Sequence, residues 1–345
     1  MSDGSTQVLR DMWYYALPGK SLKSGRSIAL TMLGETLLLG RTLEGAVFAL
    51  RDNCPHRGVP LSRGRFDGHH IECCFHGWRF APSGACVAIP ALPAQEDIDL
   101  GRIRAKSYPV REIQGNIWVF FGDDPGSAPE VPVLPGIGAA GPQVVGSIRV
   151  TCGLDNAVAS MVDPAHIPFV HTGWWLRRRG AVRLKTKSFA PLPHGFVMLP
   201  HASSASLRIH RFLGGAPETT ISFHLPSVRI EHMRVGTRHF VVLLVSTPLS
   251  GKEVELTYAL YWTIPWLNPL TPLFRVGLKS FMHQDLRVLE NQAAGLDHAA
   301  PPLFVGEVDT QSKWYFRLKN EYARSRAEAR PFVNPVKETV LRWQS

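Results

Sequence analysis

The sequence is poor in cysteine, with five in 345 residues, and an odd number in a chain of this size argues against a disulfide framework. It has no internal repeat and no low-complexity tract. Its first residues, Met1 to Thr6, are polar and carry no apolar signal core, so export is not indicated and a cytoplasmic setting is expected. The most apolar window, Leu256 to Leu278, is broken by Pro265, Asn268, Pro269, Pro272 and Arg275. A membrane span is therefore not expected there, and a strand followed by a helix is. Apolar residues at 45% and charged residues at 19% fit a globular chain of about two domains.

The chain does carry positive charge, formally +10. No basic stripe alternates with aromatics, so nucleic-acid binding is not expected. The densest run, Arg177-Arg178-Arg179 after Trp174-Trp175, reads as a solvated face or as a surface that steers an acidic redox partner.

From Trp13 to about Phe121 the chain reads as short strands punctuated by Gly, Pro and Asn, among them Thr36-Leu39, Val47-Arg51, His70-Cys73 and Asn116-Phe121. The stretch from Gly122 to Pro142 is rich in proline and reads as a linker. Domains are expected at 8–123 and 124–345. Beyond the linker, Asn156 to His171 looks helical in its first half, with Pro168 disrupting its end. Val182 to Ile264 is rich in strands with period two, and a helix is expected from Thr271 to Ala294 with Leu278, Phe281, Met282, Val288 and Leu289 on one stripe. A large antiparallel sheet closed by a late helix is an α+β arrangement.

Four of the cysteines, Cys54, Cys73, Cys74 and Cys86, fall in the first quarter, and such clustering points to metal. Two loops stand out: Cys54-Pro-His56-Arg57-Gly58 and Cys73-Cys74-Phe75-His76-Gly77-Trp78. Each offers one thiolate and one imidazole. The spacing alone fits a tetrahedral zinc or a [2Fe–2S] cluster with two histidines on one iron.

With their glycine turns, Arg57 and Trp78, these loops closely resemble the Rieske domain of bacterial ring-hydroxylating oxygenases. The resemblance implies a [2Fe–2S] cluster with Cys54 and Cys73 on one iron and His56 and His76 on the other. It departs at Cys74, where the family has Pro; Cys74 is expected to be a small buried hydrophobe, neither ligand nor disulfide partner.

A second constellation lies downstream. Asp163-Pro-Ala-His166 and His171 form a D-x2-H-x4-H pattern. By themselves, such histidines are ordinary core residues more often than ligands. The helix carrying His283-Gln284-Asp285 adds a carboxylate on its apolar stripe, where a charge is costly unless paired or metal-bound. Glu290 on the same helix is the fallback. Two histidines and one carboxylate match the facial triad of non-heme Fe(II) oxygenases. The resemblance now runs over almost the whole chain in the family's order, and implies His166, His171 and Asp285 as ligands of a mononuclear iron.

It implies further an N-terminal all-β Rieske domain followed by a C-terminal helix-grip catalytic domain. Its compact homotrimeric group includes vanillate and dicamba demethylases and saxitoxin-pathway hydroxylases. A head-to-tail trimer would set the cluster of one subunit beside the iron of the next, with Asp163 bridging His76 of one chain and His166 of its neighbour. The expected reaction is O2-dependent hydroxylation or oxidative demethylation of a small organic substrate. The alternatives are a dioxygenase performing cis-dihydroxylation and a non-catalytic Rieske electron-transfer protein. No flavin or nucleotide motif is present, so electrons are expected from an external ferredoxin and/or an NAD(P)H-dependent flavin reductase. Inward positions of the sheet, with His201, His210, Phe223 and His224 as candidates, and the Trp174-Trp175 loop are expected near substrate, although each is read first as ordinary packing.

Overall fold

Continuous apolar strands set the architecture of the first part of the chain. In the computed structural model the described residues are 8–345 apart from 94, 95, 97, 127, 172–182, 203–214, 297 and 299–301. Trp174, Trp175, Arg177-Arg178-Arg179 and His210 lie outside the described residues. Arg10–Val131 forms one compact unit, and Pro132–Ser345 makes up nearly all of a second.

In the first unit, strand Asn116–Phe121 is buried at every position because it lies between Met12–Pro18 and Val110–Ile113 in a three-stranded sheet. A four-stranded sheet joins Arg26–Met32, Glu35–Arg41, Val47–Arg51 and Ser107–Tyr108. A second four-stranded sheet of very short strands joins Arg65–Phe66, Ile71–Glu72, Arg79–Phe80 and Cys86–Ala88. The two cysteine–histidine loops follow Val47–Arg51 and connect Ile71–Glu72 to Arg79–Phe80. One apolar cluster includes Leu38, Phe48, Leu50, Leu61, Ile71, Phe80, Cys54, Cys73 and Cys86, so three sulfurs sit in the core of this unit.

No helix or strand occurs among the described residues of 122–143. Within this stretch Val131, Leu134 and Ile137 are buried.

The second unit is built on an eight-stranded antiparallel sheet ordered Val144–Val150, Glu253–Trp262, Arg238–Ser250, Val228–Val235, Glu218–His224, Gly195–Ala202, Leu184–Leu192 and Thr339–Gln344. Among the described residues four α-helices accompany it: α1 (Leu154–Val162), α2 (Ile167–Val170), α3 (Thr271–Leu296) and α4 (Thr310–Ala327). α3 buries Leu278, Met282, Asp285 and Leu289, a stripe with the i, i+4, i+7 and i+11 spacing of one helix face. Val288, expected on that stripe, is exposed, since its phase turns it past the buried edge. Gly146 lets α3 approach the sheet: a Cβ there would stand 2.9 Å from Met282 Sδ and 3.1 Å from Leu278 Cδ2. α4 lays Trp314 and Tyr315 against Phe189, Phe196 and Phe223, which makes Phe223 a core residue. Among the described residues no helix is long and apolar enough to cross a membrane.

Candidate metal centres

The two cysteine–histidine loops close in the same way. Gly58 N–H donates to Cys54 O at 2.8 Å and Gly77 N–H to Cys73 O at 3.0 Å. Cys54 N–H donates to Val59 O at 2.7 Å and Cys73 N–H to Trp78 O at 2.8 Å. Both glycines have positive φ, +75° and +68°, a conformation that a side chain would strain. Asp52 fixes the approach to the first loop, accepting from Ser62 N–H at 2.7 Å and Ser62 O–H at 2.6 Å.

These turns bury both thiols and keep the imidazoles toward the surface. Cys54 and Cys73 are buried, His56 is exposed and His76 half-buried. The imidazole centroids lie 4.8 Å apart, and His56 stacks flat on Trp78 at 4.3 Å. Burial, the largest influence, pushes the Cys54 thiol up to about 11; the His56 backbone N–H opposes this and Cys73 adds to it. At neutral pH such a thiol is protonated unless a cation holds the thiolate. Buried sulfurs with a backbone donor and outward imidazoles fit a cluster bound between two loops. Cys74 departs from expectation: it is exposed and free, because the tight turn that buries Cys73 carries the next side chain outward. Cys86 is a buried core thiol.

In the second unit, α1 ends at Val162 because Asp163 precedes Pro164, and a residue before proline is driven to extended backbone. Asp163, with ψ 120°, is the C-cap, its backbone N–H donating to Ser160 O, and its Oδ1 accepts from Ala165 N–H at 2.7 Å just beyond the helix. Pro168 does not break the following helix. It occupies the first turn of α2, where no N–H is needed. α2 is thereby kept to four residues, with His166 and His171 at its two caps.

α3 brings Asp285 to these histidines. Ligand atoms of His166, His171 and Asp285 all lie within 4.8 Å of one another. Asp285 Oδ1 is 3.2 Å from His171 Nε2 and 4.0 Å from His166 Nε2. His171 Nε2 is buried yet makes no hydrogen bond among the described residues, so its close approach to the carboxylate is not that of donor and acceptor. A buried nitrogen without a partner beside a carboxylate fits a divalent cation that accepts from both. Glu290 is exposed and stands outside this group.

Three further residues position this group. Gln284 Oε1 lies 3.1 Å from His171 Nδ1; as acceptor there it leaves Nε2 with a free lone pair. Phe281 stacks on the His171 ring at 3.7 Å. Tyr258 O–H donates to Asp285 Oδ2 at 2.8 Å, leaving Oδ1 for the histidine side. The sequence offers Gln284 only as the neighbour of Asp285. Tyr258 has no local signal, since it is one aromatic in an apolar strand until the sheet register places it. Asp163 Oδ2 lies 3.6 Å from His166 Nδ1. Residues of α2 and α3 line a groove of about 530 Å³, among them Phe169, His283, Gln284, Arg287 and Val288. His224 is a strand residue hydrogen-bonded to Ser222, and His201 contacts the Leu199 carbonyl.

The Rieske [2Fe-2S] domain family matches residues 12–109. Residues 12–109 therefore form a Rieske [2Fe-2S] domain. It is 33% identical over 169 residues to the 3-chlorobenzoate-3,4-dioxygenase oxygenase subunit of Comamonas testosteroni, covering 48% of this chain and 38% of that protein. It is 34% identical over 176 residues to the oxygenase component of dicamba O-demethylase of Stenotrophomonas maltophilia, covering 47% of this chain and 48% of that one. The chain thus spans about a quarter to a half of the length of the curated relatives it matches. The crystal structure of dicamba monooxygenase bound to dicamba superposes with a TM-score of 0.74 at 21% identity, over 93% of this chain and 98% of that one. The fold is therefore that of a Rieske oxygenase: an all-β Rieske unit and an α+β unit with a large antiparallel sheet.

Proposed function

We propose that this Rieske protein is the terminal oxygenase of a multicomponent system, hydroxylating or oxidatively demethylating a small organic substrate. The observation that carries this reading is the group His166, His171 and Asp285 in the same chain as a Rieske unit. An electron-transfer protein has no need of a buried imidazole nitrogen, His171 Nε2, that faces a carboxylate without a hydrogen bond. Cys54, Cys73, His56 and His76 would hold the cluster, and His166, His171 and Asp285 a ferrous ion. When bound, the cluster supplies single electrons and the ferrous ion the position for dioxygen activation. The balance is substrate C–H, O2, two electrons and two protons giving C–OH and water. A hydroxyl placed on a methoxy carbon gives a hemiacetal that collapses to the demethylated alcohol and formaldehyde.

The chain's own residues hold the geometry for this. Gln284 fixes the tautomer of His171, Tyr258 fixes which Asp285 oxygen faces the histidines, and Phe281 holds the imidazole plane. Asp163 keeps one carboxylate oxygen toward His166 on a side chain that is 28% exposed, so a partner can reach it. We assign it as the bridge to His76 of a neighbouring chain in a homotrimer. The groove lined by Phe169, Arg287 and Val288, and the cluster-side imidazoles with Phe75 at 55% exposure, support docking of one copy's Rieske unit on another. Electrons would come from an external ferredoxin and/or an NAD(P)H-dependent flavin reductase in the cytoplasm.

Mixed assemblies test this. His76→Ala chains keep the triad and Asp285→Ala chains keep the cluster. Co-assembled, they should recover part of the substrate-dependent oxygen uptake that neither shows alone. Properly folded mixed assemblies with no recovery would refute transfer between chains.

A further inference from the structure

The inner face of the large sheet is not filled evenly. Arg229 stands directly opposite Leu244, which stands directly opposite Tyr258, so all three side chains point to one face. Tyr258 reaches Asp285 on α3, so this is the face that looks toward the candidate iron. Glu231, two residues after Arg229, shares it and lies opposite both Val242 and Ile221. On the other face of the same strands Val241, Leu243 and Val245 are at most 1% exposed. On the metal side Arg229, Glu231, Val242 and Ile221 stay partly open although they lie on central strands. Side chains left open in the middle of a helix-covered sheet face mark a recess.

Arg229 is under-used there. Its side chain is 23% exposed, and among the described residues its one ion pair is a single contact of 3.4 Å from Nη2 to Glu231 Oε2. A guanidinium has five donors in a planar fork and is matched by a carboxylate that takes two of them in parallel. Glu231 does not do so. Lys187, two residues before Phe189 on this face, makes no ion pair among the described residues, which adds to the positive charge of the recess. Arg229 and Tyr258 are two strands apart, about 10 Å between Cα atoms. That span suits a small acid with its carboxylate at one end and its reacting carbon at the other.

We propose that Arg229 anchors a carboxylate group of the substrate, releasing its loose contact with Glu231 as the substrate binds. The substrate class is then a small organic acid, oriented with its far end at the triad. This rests on the oxygenase reading, since it places the substrate by reference to the proposed iron.

Matched ligands test it by binding, without turnover. The full-length protein, with its metals, is titrated anaerobically by calorimetry with 3-methoxybenzoate and with 3-methoxybenzamide. The acid should bind about 10- to 100-fold more tightly than the amide, the range for a hydrogen-bonded charge pair. Arg229→Gln should abolish that preference while leaving amide affinity in place, and Arg229→Lys should restore part of it. Glu231→Gln should tighten acid binding, because the competing carboxylate is gone. Equal affinity for acid and amide, no binding of either at millimolar concentration, or a preference unchanged in Arg229→Gln overturns the proposal. If Arg229→Gln fails to fold, the wild-type ratio and the Glu231→Gln shift decide the matter. The two readings fail separately: oxygen uptake coupled to neutral substrates alone sinks the anion anchor, whereas acid preference in a protein that binds no mononuclear iron sinks the oxygenase.

Discussion

Replacing Tyr258 with Phe removes one oxygen atom and isolates its contribution to the metal site. The Asp285 carboxylate divides its two oxygens: Oδ2 accepts from Tyr258 at 2.8 Å, and Oδ1 faces His171 and His166 at 3.2 and 4.0 Å. Burial first, and the Asp285 charge second, hold the Tyr258 hydroxyl far above its ordinary range, so it remains a donor at any workable pH. A hydrogen bond to a charged group contributes about 1.5–3 kcal/mol. If that energy goes into holding Oδ1 toward the histidines, metal affinity should fall about 10- to 100-fold, the loss typical of groups that orient a ligand. Anaerobic Fe(II) titration against a competing chelator measures this directly. The Rieske spectrum serves as the internal control, since Tyr258 belongs to the other unit. An affinity within about twofold of wild type would refute the argument that Tyr258 preorganises the carboxylate, the expected loss being at least tenfold.

Other outcomes follow from the same geometry. Asp285→Ala should lose the mononuclear iron and all substrate-dependent oxygen uptake while the cluster spectrum persists, and Asp285→Asn should be the milder variant; metal analysis of both decides. Lys319 pairs with Asp155 at 2.6 and 2.7 Å, tying α4 to α1, which leads into Asp163. Because Asp155 keeps 23% of its side-chain exposure, Lys319→Met should cost about 2–3 kcal/mol, somewhat less than for a fully buried pair, read as a lower melting temperature. Burial, with His194 adding to it, pushes His224 down to about 4. Below its unfolded value near 6.5 the unfolded chain takes up a proton that the folded chain refuses. This residue's contribution, at most about 3 kcal/mol, is therefore present above that pH and lost as pH falls from about 6.5 to about 4. His224→Gln should flatten that part of the stability–pH curve, and an unchanged slope would contradict it.

Periodicity carries the fold a long way here. Alternating apolar residues announce the strands of both units, and the i, i+4, i+7 spacing of Leu278, Met282 and Asp285 is enough to put a carboxylate on a buried helix face. Local chemistry misleads where a proline or cysteine is read without its turn. Pro168 opens a helix because it sits in its first turn, and Cys74 points outward because the turn that buries Cys73 reverses direction. Tyr258 is invisible in sequence for a different reason. Its partner lies 27 residues away on another element, and only the register of the sheet against α3 brings the hydroxyl to Asp285.

The central claim is that one chain holds a Rieske cluster and a separate mononuclear iron. Iron, zinc and acid-labile sulfide determination on the anaerobically purified protein tests it most directly, with Asp285→Ala measured alongside. The account predicts about three irons and two sulfides per wild-type chain, with one iron lost and sulfide unchanged in the variant. Zinc in place of iron, or an iron content that Asp285→Ala leaves untouched, would contradict it.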